Sequence, residues 1–419
     1  MFEKLIKAFF RGLVIGLIFW SISINWIFDA INFYGAGYFL SFCITALLIF
    51  YLSLYFGFFT FLIKFFEGNK FFVLLIPSLI FILEWIRSWM ISGFPWLNIG
   101  IFAVPINFTG YLPLIGVSGT SFIFGLIIVL ALKISILRIG SIFLLLLVGF
   151  LSPNKNLFLD EDSKQLKIAV VQPVENNYKI LNNLTSQAKN DGAEVIIWPE
   201  AVSSYQNFQA RTEFADIDII GGFFIQQDEK IFTSIVNTST NDRYDKRNLV
   251  PFGEFQPFDN LLKNFNEFFN IPNSSLTRGE KSQKKVFIQQ VPFSGLICWE
   301  LSFNDTFVDR TRNTAFIIHI SNDSWYGKYM PAQHLLHAKA RAIESQKWVV
   351  RSTTDGISEI ISPYNQIKLS ESISKGIRGF KTETISTNMK NTTYLIFGDY
   401  PLLIFSFIII LLALINKNK

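Results

Sequence analysis

Cys298 closes a short apolar run, Phe293-Ser294-Gly295-Leu296-Ile297, and is followed by Trp299 and Glu300. The only other cysteine, Cys43, lies in a long apolar stretch, so a mutual disulfide is geometrically improbable and Cys298 stands as a free thiol. A thiol at a strand end with an acid two positions on is a place for a nucleophile, although by itself it reads equally well as an inert core cysteine. Acyl transfer through a thioester needs a proton acceptor for the thiol and stabilisation of the tetrahedral oxyanion. Glu200, in Ile196-Ile197-Trp198-Pro199-Glu200, follows a proline just past an apolar run and can be held rigidly as the base. Lys246, in the charged segment 244–254, can favour the thiolate and the oxyanion. The backbone N–H of Trp299 is a candidate second oxyanion donor. Glu254 and Glu300 are candidate supporting carboxylates, Glu300 doubling as a cap for a helix starting near Ser302.

These segments need a scaffold. Short β-branched runs recur at 166–172, 193–198, 217–224, 230–237, 286–291, 295–298, 315–321, 348–352 and 357–361, with helical patterns at 179–190, 301–312 and 331–346. Strands alternating with helices predict a layered α/β domain. Segment 257–284 has no clear period and reads as a long lid-like loop. Asn322, Asp323 and Trp325 fall in a turn beside the site, as shapers of it. His334 and His337 are three apart on a helix, but no second ligand pair accompanies them, so they read as core or surface histidines and not metal ligands.

Half of the 419 residues are apolar and only 16% are charged, against about 25% in ordinary soluble proteins. The excess sits at both ends, which predicts spans near 12–28, 37–63, 71–90, 112–132, 139–152 and 399–415. Basic clusters flank them: Lys4, Lys7 and Arg11; Lys64 and Lys70; Lys133 and Arg138; Lys417 and Lys419. With all four clusters inside, the chain threads without conflict and residues 153–398 lie outside, after membrane helices in 1–152 and before one in 399–419. The net charge is +5 with no basic stripe, which argues against a nucleic-acid partner. Glu84 and Arg87 share a helix face near the end of the third span. They read as a mutual ion pair or, with Trp96 of the turn Gly93-Phe94-Pro95-Trp96-Leu97, as part of a lipid-headgroup pocket; Trp325 is a further candidate for substrate contact.

The runs IIWPE, KRNLVPFGEF and GLICWE, in this order, resemble the carbon–nitrogen hydrolase (nitrilase) superfamily. The segments GFPWL, SSLTRGE, SNDSWYG, PAQHL and RAIES, with apolar spans on both sides, narrow the likeness to the apolipoprotein N-acyltransferase family. That resemblance implies an α-β-β-α sandwich on a membrane helical bundle. It implies a Glu200–Lys246–Cys298 triad with no metal or organic cofactor. It also implies a phospholipid acyl donor, a diacylglyceryl apolipoprotein acceptor, and a multi-pass, monomeric protein of the bacterial cytoplasmic membrane working on the outer face. The alternatives are a membrane-tethered amidase acting on a small amide with the same triad, and an acyltransferase for another amine.

Overall fold

Residues 2–33, 35–132, 135–151, 162–211, 218–251, 253–255, 276–364 and 372–417 are described by the computed structural model. They divide into two units, one of residues 1–153 with 397–419 and one of residues 154–396.

The first unit is helical: α1 (Phe2–Ser23), α2 (Trp26–Phe33), α3 (Gly37–Phe65), α4 (Phe72–Arg87), α5 (Leu112–Ala131), α6 (Ile136–Phe150) and a C-terminal helix, Tyr400–Lys417. Helices α1 and α3 pack with their backbones close together. A Cβ on Gly12 would stand 2.3 Å from the Phe56 carbonyl oxygen, and Thr60 donates to the Ala8 carbonyl at 2.7 Å. Among the described residues four helices, α1, α3, α5 and Tyr400–Lys417, are long and apolar enough to cross a membrane.

Two of the six expected spans are helices too short to cross on their own. Helix α4 has 16 residues and α6 has 15, so at about 1.5 Å per residue neither reaches the ~30 Å of a bilayer core. The apolar run continues past Arg87, but the helix does not. The chain turns sharply there, with Ile91 and Ser92 at φ of 51° and 67°. The first helix also begins earlier than expected, so Lys4, Lys7 and Arg11 lie on it rather than before it, and Lys7 pairs with Glu3 at 2.5 Å.

The second unit has two sheets. In chain order its elements are β1 (Gln165–Gln172), α7 (Tyr178–Asn190), β2 (Val195–Ile197), β3 (Ser203–Ser204), α8 (Tyr205–Gln209), β4 (Asp218–Gln227), β5 (Lys230–Asn237) and β6 (Arg243–Asp245). There follow β7 (Val286–Ile288), β8 (Val291–Ile297), a 3-10 turn (Cys298–Ser302), α9 (Asn304–Thr311), β9 (Phe316–Ser321), α10 (Met330–Ser345), β10 (Val349–Thr353), β11 (Glu359–Ile361) and β12 (Gly379–Ser386). Among the described residues the first sheet runs β12-β1-β2-β4-β5-β6 with β3 beside β4, and the second runs β11-β10-β9-β8-β7.

Alternation along the strands sends one face of each sheet inward. Ile168, Val170, Ile197, Ile220, Ile235 and Tyr244 of the first meet Phe293, Ile297, Phe316, Ile318, Ile320 and Val350 of the second. The outer faces are covered by helices. Leu181, Leu184 and Ala188 of α7 lie on Val171, Ile196 and Trp198, while Phe307 of α9 and Ala338 and Ala342 of α10 lie on Leu296, Ile317 and Val349. The result is the α-β-β-α sandwich expected.

Strand β5 coincides with its predicted run, and β1, β9 and β10 fall within a residue of theirs. The run 286–291 is instead a hairpin, because Gln289 and Gln290 both turn through positive φ (46° and 69°). Strands β3, β6 and β12 were not expected. Of the lid-like segment 257–284, residues 257–275 lie outside the described residues.

Candidate active site

The site residues emerge from strand ends that share one edge. Strand β2 pairs parallel with β4, β4 antiparallel with β5, and β5 antiparallel with β6, so β2 and β6 run the same way. Glu200 leaves the carboxyl end of β2 and Lys246 that of β6. In the facing sheet Cys298 leaves β8 and Asn322 leaves β9, strands that are parallel to each other.

Gly222 of β4 clips the Glu200 segment in place. Its N–H donates to the Pro199 carbonyl at 3.0 Å, and its carbonyl accepts from the Val202 N–H at 2.9 Å. Only glycine fits there, because a Cβ would stand 2.6 Å from the Glu200 Cα and 2.7 Å from the Pro199 oxygen.

Lys246 is fully buried and bridges two acids, donating to Glu200 Oε1 at 2.9 Å and to Glu254 Oε1 at 2.6 Å. Glu200 Oε2 accepts from the Asn322 N–H at 2.9 Å, and Glu254 Oε2 from the Val250 N–H at 2.8 Å. Burial opposes charge on the lysine, but Glu200 and Glu254 outweigh it and hold its pKa well above the ordinary value. Burial raises Glu200. Lys246 opposes that rise, and the like charge of Glu254 adds to it. Two carboxylates around one ammonium leave the site a proton acceptor, since Glu200 can take a proton while the lysine keeps its own.

Cys298 is buried, in left-handed backbone at φ 54°, where a side chain other than glycine is strained. Burial pushes its thiol pKa up strongly and Glu200 adds to the rise, while Lys246 acts against it. The resting group is therefore a thiol, within electrostatic reach of the acid–lysine pair.

Glu300 does not touch the Lys246 side chain. It ties the lysine segment to the cysteine segment, accepting from the Tyr244 hydroxyl at 3.0 Å and from the N–H groups of Arg247 (2.5 Å), Asn248 (3.0 Å) and Ile297 (3.0 Å). The Trp299 indole donates to the Asn248 carbonyl at 2.7 Å, fastening the same two segments. Trp325 donates to the Asn322 carbonyl and so braces the turn behind Glu200.

Beneath Cys298 lies a network whose assembly the sequence did not show, although it placed Asp323 beside the site. His319 Nε2 and His334 Nε2 reach the Cys298 carbonyl at 2.9 and 3.1 Å. Arg351 donates to His319 Nδ1 at 2.7 Å and to Asp323 Oδ2 at 2.6 Å, and Asp323 Oδ1 faces His334 Nδ1 at 3.2 Å. A guanidinium only donates, so His319 accepts at Nδ1 and carries its proton on Nε2, toward the cysteine carbonyl. Burial, then Arg351, hold His319 well below its ordinary pKa, which keeps it neutral. Burial works against charge on Asp323, yet Arg351 and His334 outweigh it and hold the carboxyl well below the usual range. No cluster of potential metal ligands occurs among the described residues.

In the helical unit, Glu84, Arg87 and Trp96 are buried, and both charges are directed into the loop after α4. Arg87 donates to the Trp96 carbonyl at 2.8 Å and to Asn98 Oδ1 at 2.6 Å, while Glu84 Oε1 accepts from the Ile99 N–H at 2.7 Å. Beside their mutual attraction, the two side chains latch the loop after α4, Arg87 through the Trp96 carbonyl and the Asn98 side chain and Glu84 through the Ile99 N–H.

Residues 3–130 match the apolipoprotein N-acyltransferase N-terminal domain and residues 164–369 the carbon–nitrogen hydrolase family. The apolipoprotein N-acyltransferase of Wigglesworthia glossinidia brevipalpis is 32% identical over 94% of this chain and 86% of its own length. This chain belongs to the apolipoprotein N-acyltransferase family. The N-acyltransferase of Pasteurella multocida is 30% identical over 98% of this chain and 88% of its own. Among solved structures, a carbon–nitrogen hydrolase superfamily protein from Xanthomonas campestris is similar at 17% identity and a TM-score of 0.38, over 57% of this chain and 97% of that one. Apolipoprotein N-acyltransferases are transferases of the carbon–nitrogen hydrolase superfamily, so the chain is an enzyme, and its apolar helices fit a membrane protein.

Proposed function

We propose that this enzyme moves a fatty acyl chain from a phospholipid to Cys298, and from there to the α-amino group of the diacylglyceryl-cysteine that begins an apolipoprotein. The observation that carries the reading is a strained strand-end cysteine beside a buried lysine shared by two glutamates.

In the first step Glu200 accepts the thiol proton as sulfur attacks the ester carbonyl. A C–S bond forms, and the carbonyl oxygen takes the negative charge. Lys246 and the Trp299 N–H stabilise that oxyanion. Collapse breaks the ester C–O bond, and Glu200 returns the proton to the departing lysophospholipid oxygen. In the second step the acceptor amine attacks the thioester and gives its proton to Glu200 as a C–N bond forms; collapse breaks the C–S bond, and Glu200 returns the proton to the departing sulfur, which restores the thiol. Burial of the thiol suits this sequence, because the proton leaves only when an electrophile has arrived.

Glu254 and Glu300 serve as supports, the first sharing the lysine and the second fixing the backbone around it. In the membrane unit, Glu84 and Arg87 hold the Trp96 loop in shape for the lipid, and Trp325 shapes the acceptor side. We assign residues 1–152 to membrane helices, 153–398 to the catalytic domain and 399–419 to a final span. The protein is assigned as a monomer in the bacterial cytoplasmic membrane, with the domain on the outer face; the basic residues at Lys64, Lys70 and Lys417 support that orientation.

Purified protein incubated with phospholipid should gain the mass of one acyl chain on Cys298, and a diacylglyceryl peptide should discharge it. An unacylated cysteine in protein that cleaves a small amide would overturn the reading in favour of an amidase.

A further inference from the structure

We propose that Thr233 is a further catalytic residue, its hydroxyl donating to the oxyanion beside Lys246. This deepens the acyl-transfer reading and rests on it.

Thr233 is 1% exposed, and among the described residues its hydroxyl has no hydrogen-bond partner. An orphaned buried hydroxyl carries a penalty of about 1–3 kcal/mol unless something uses it. Its position shows what could. On β5, Ile235 faces the inter-sheet core, while Ser234 turns the other way to donate to Asp245 at 2.6 Å. Alternation therefore puts Thr233 on the inward face. Lys246 lies directly opposite, its N–H donating to the Thr233 carbonyl at 2.8 Å, so both side chains rise from adjacent strands on the catalytic face. Two of the three lysine protons go to Glu200 and Glu254, leaving one for an oxyanion. The threonine adds a further donor to the one left on the lysine and the Trp299 N–H.

An open cavity lies along the same strands. Phe224 pairs across from Thr233, and Ile231 lies two residues along the same strand face. Both line this cavity of about 330 Å³, whose wall is also formed by Leu276. When the tetrahedral intermediate forms, the hydroxyl hydrogen bonds its oxygen. No proton is transferred, and the bond is released on collapse.

The test compares Thr233→Val and Thr233→Ser in the full-length protein, in single-turnover acylation by phospholipid with the acyl-enzyme counted by intact mass. The valine variant should acylate about 10²–10³-fold more slowly, with unchanged half-saturation by lipid and a Tm equal to or above the parent's. The serine variant should stay within a few-fold of the parent. A valine variant that acylates at the parental rate overturns the proposal. So does one that loses rate together with Tm, or a serine variant equally impaired, since both mark a packing role. Failure of the parent itself to form a thioester would count against the triad, and is read separately in the same experiment.

Discussion

Gly222→Ala tests whether the position of Glu200 controls the rate. The glycine has ordinary negative φ, so alanine meets no backbone strain and the whole effect is steric. The new methyl would stand 2.6 Å from the Glu200 Cα, roughly 0.8 Å inside ordinary contact, and 2.7 Å from both the Pro199 oxygen and Ile320 Cδ1. Two of these three neighbours are backbone of the very segment that presents the base, so relief must come from moving it. Overpacking of this kind costs about 1–3 kcal/mol. For a domain of this size that is a fall of roughly 2–12 °C in Tm. Displacing a catalytic group by about 1 Å costs on the order of 10²-fold in rate. Gly221→Ala is the control: its Cβ would meet the Phe223 ring at 2.9 Å and the Trp198 Cβ at 3.2 Å, side chains of the helix-covered face and not the backbone that presents Glu200. Single-turnover acylation should therefore drop about 10²-fold in Gly222→Ala and only a few-fold in Gly221→Ala. Equal rates in Gly222→Ala and the parent, or equal losses in the two variants, would refute the argument.

Other outcomes follow from the same geometry. The base must be ionised to accept the thiol proton, and burial raises Glu200, so the acid limb of acylation should lie above the ordinary glutamate pKa of 4.5. Glu254→Gln removes a like charge and should move that limb down, whereas an unmoved limb in a pH–rate series would show that another group titrates. Lys246 is held well above 10.5, so no alkaline loss from its deprotonation is expected below that pH. Asp323→Asn strips Arg351 of its carboxylate partner at zero exposure and should cost about 3–5 kcal/mol in denaturant unfolding. A loss under 1 kcal/mol would mean the network beneath Cys298 is not structural.

Glu200 and Cys298 could be placed from local pattern because each follows a β-branched run, whereas Lys246 follows the short strand Arg243–Asp245, which has no such run, and it stood out only through the likeness of the segment around it. The shared edge was not legible, since it depends on strand directions that periodicity does not encode. Strand β12 escaped because it is a half-exposed edge strand in which Lys381, Thr382, Glu383 and Thr384 leave no apolar run. Hydropathy saw the apolar residues after Arg87 but not the turn that ends α4 there. His319 and Asp323 lie on β9 and the turn after it, Arg351 on β10, and nothing in their spacing shows that they meet beneath the Cys298 carbonyl. His334 was judged by its neighbour His337, whereas its partner lies 36 residues away.

The first and last strands of the second unit are neighbours: Gln165 of β1 faces Ser386 of β12, and Lys164 and Thr387 bond to each other just outside. A fold whose first and last strands are adjacent can be spliced into a host chain where a hairpin turn would otherwise stand, provided the stretch after β12, whose Tyr394 and Leu395 are buried with Leu296 and Phe307, travels with it. Lineages could thus acquire this chemistry by a single insertion between consecutive helices, and a laboratory graft into an unrelated carrier needs only one short pair of tethers.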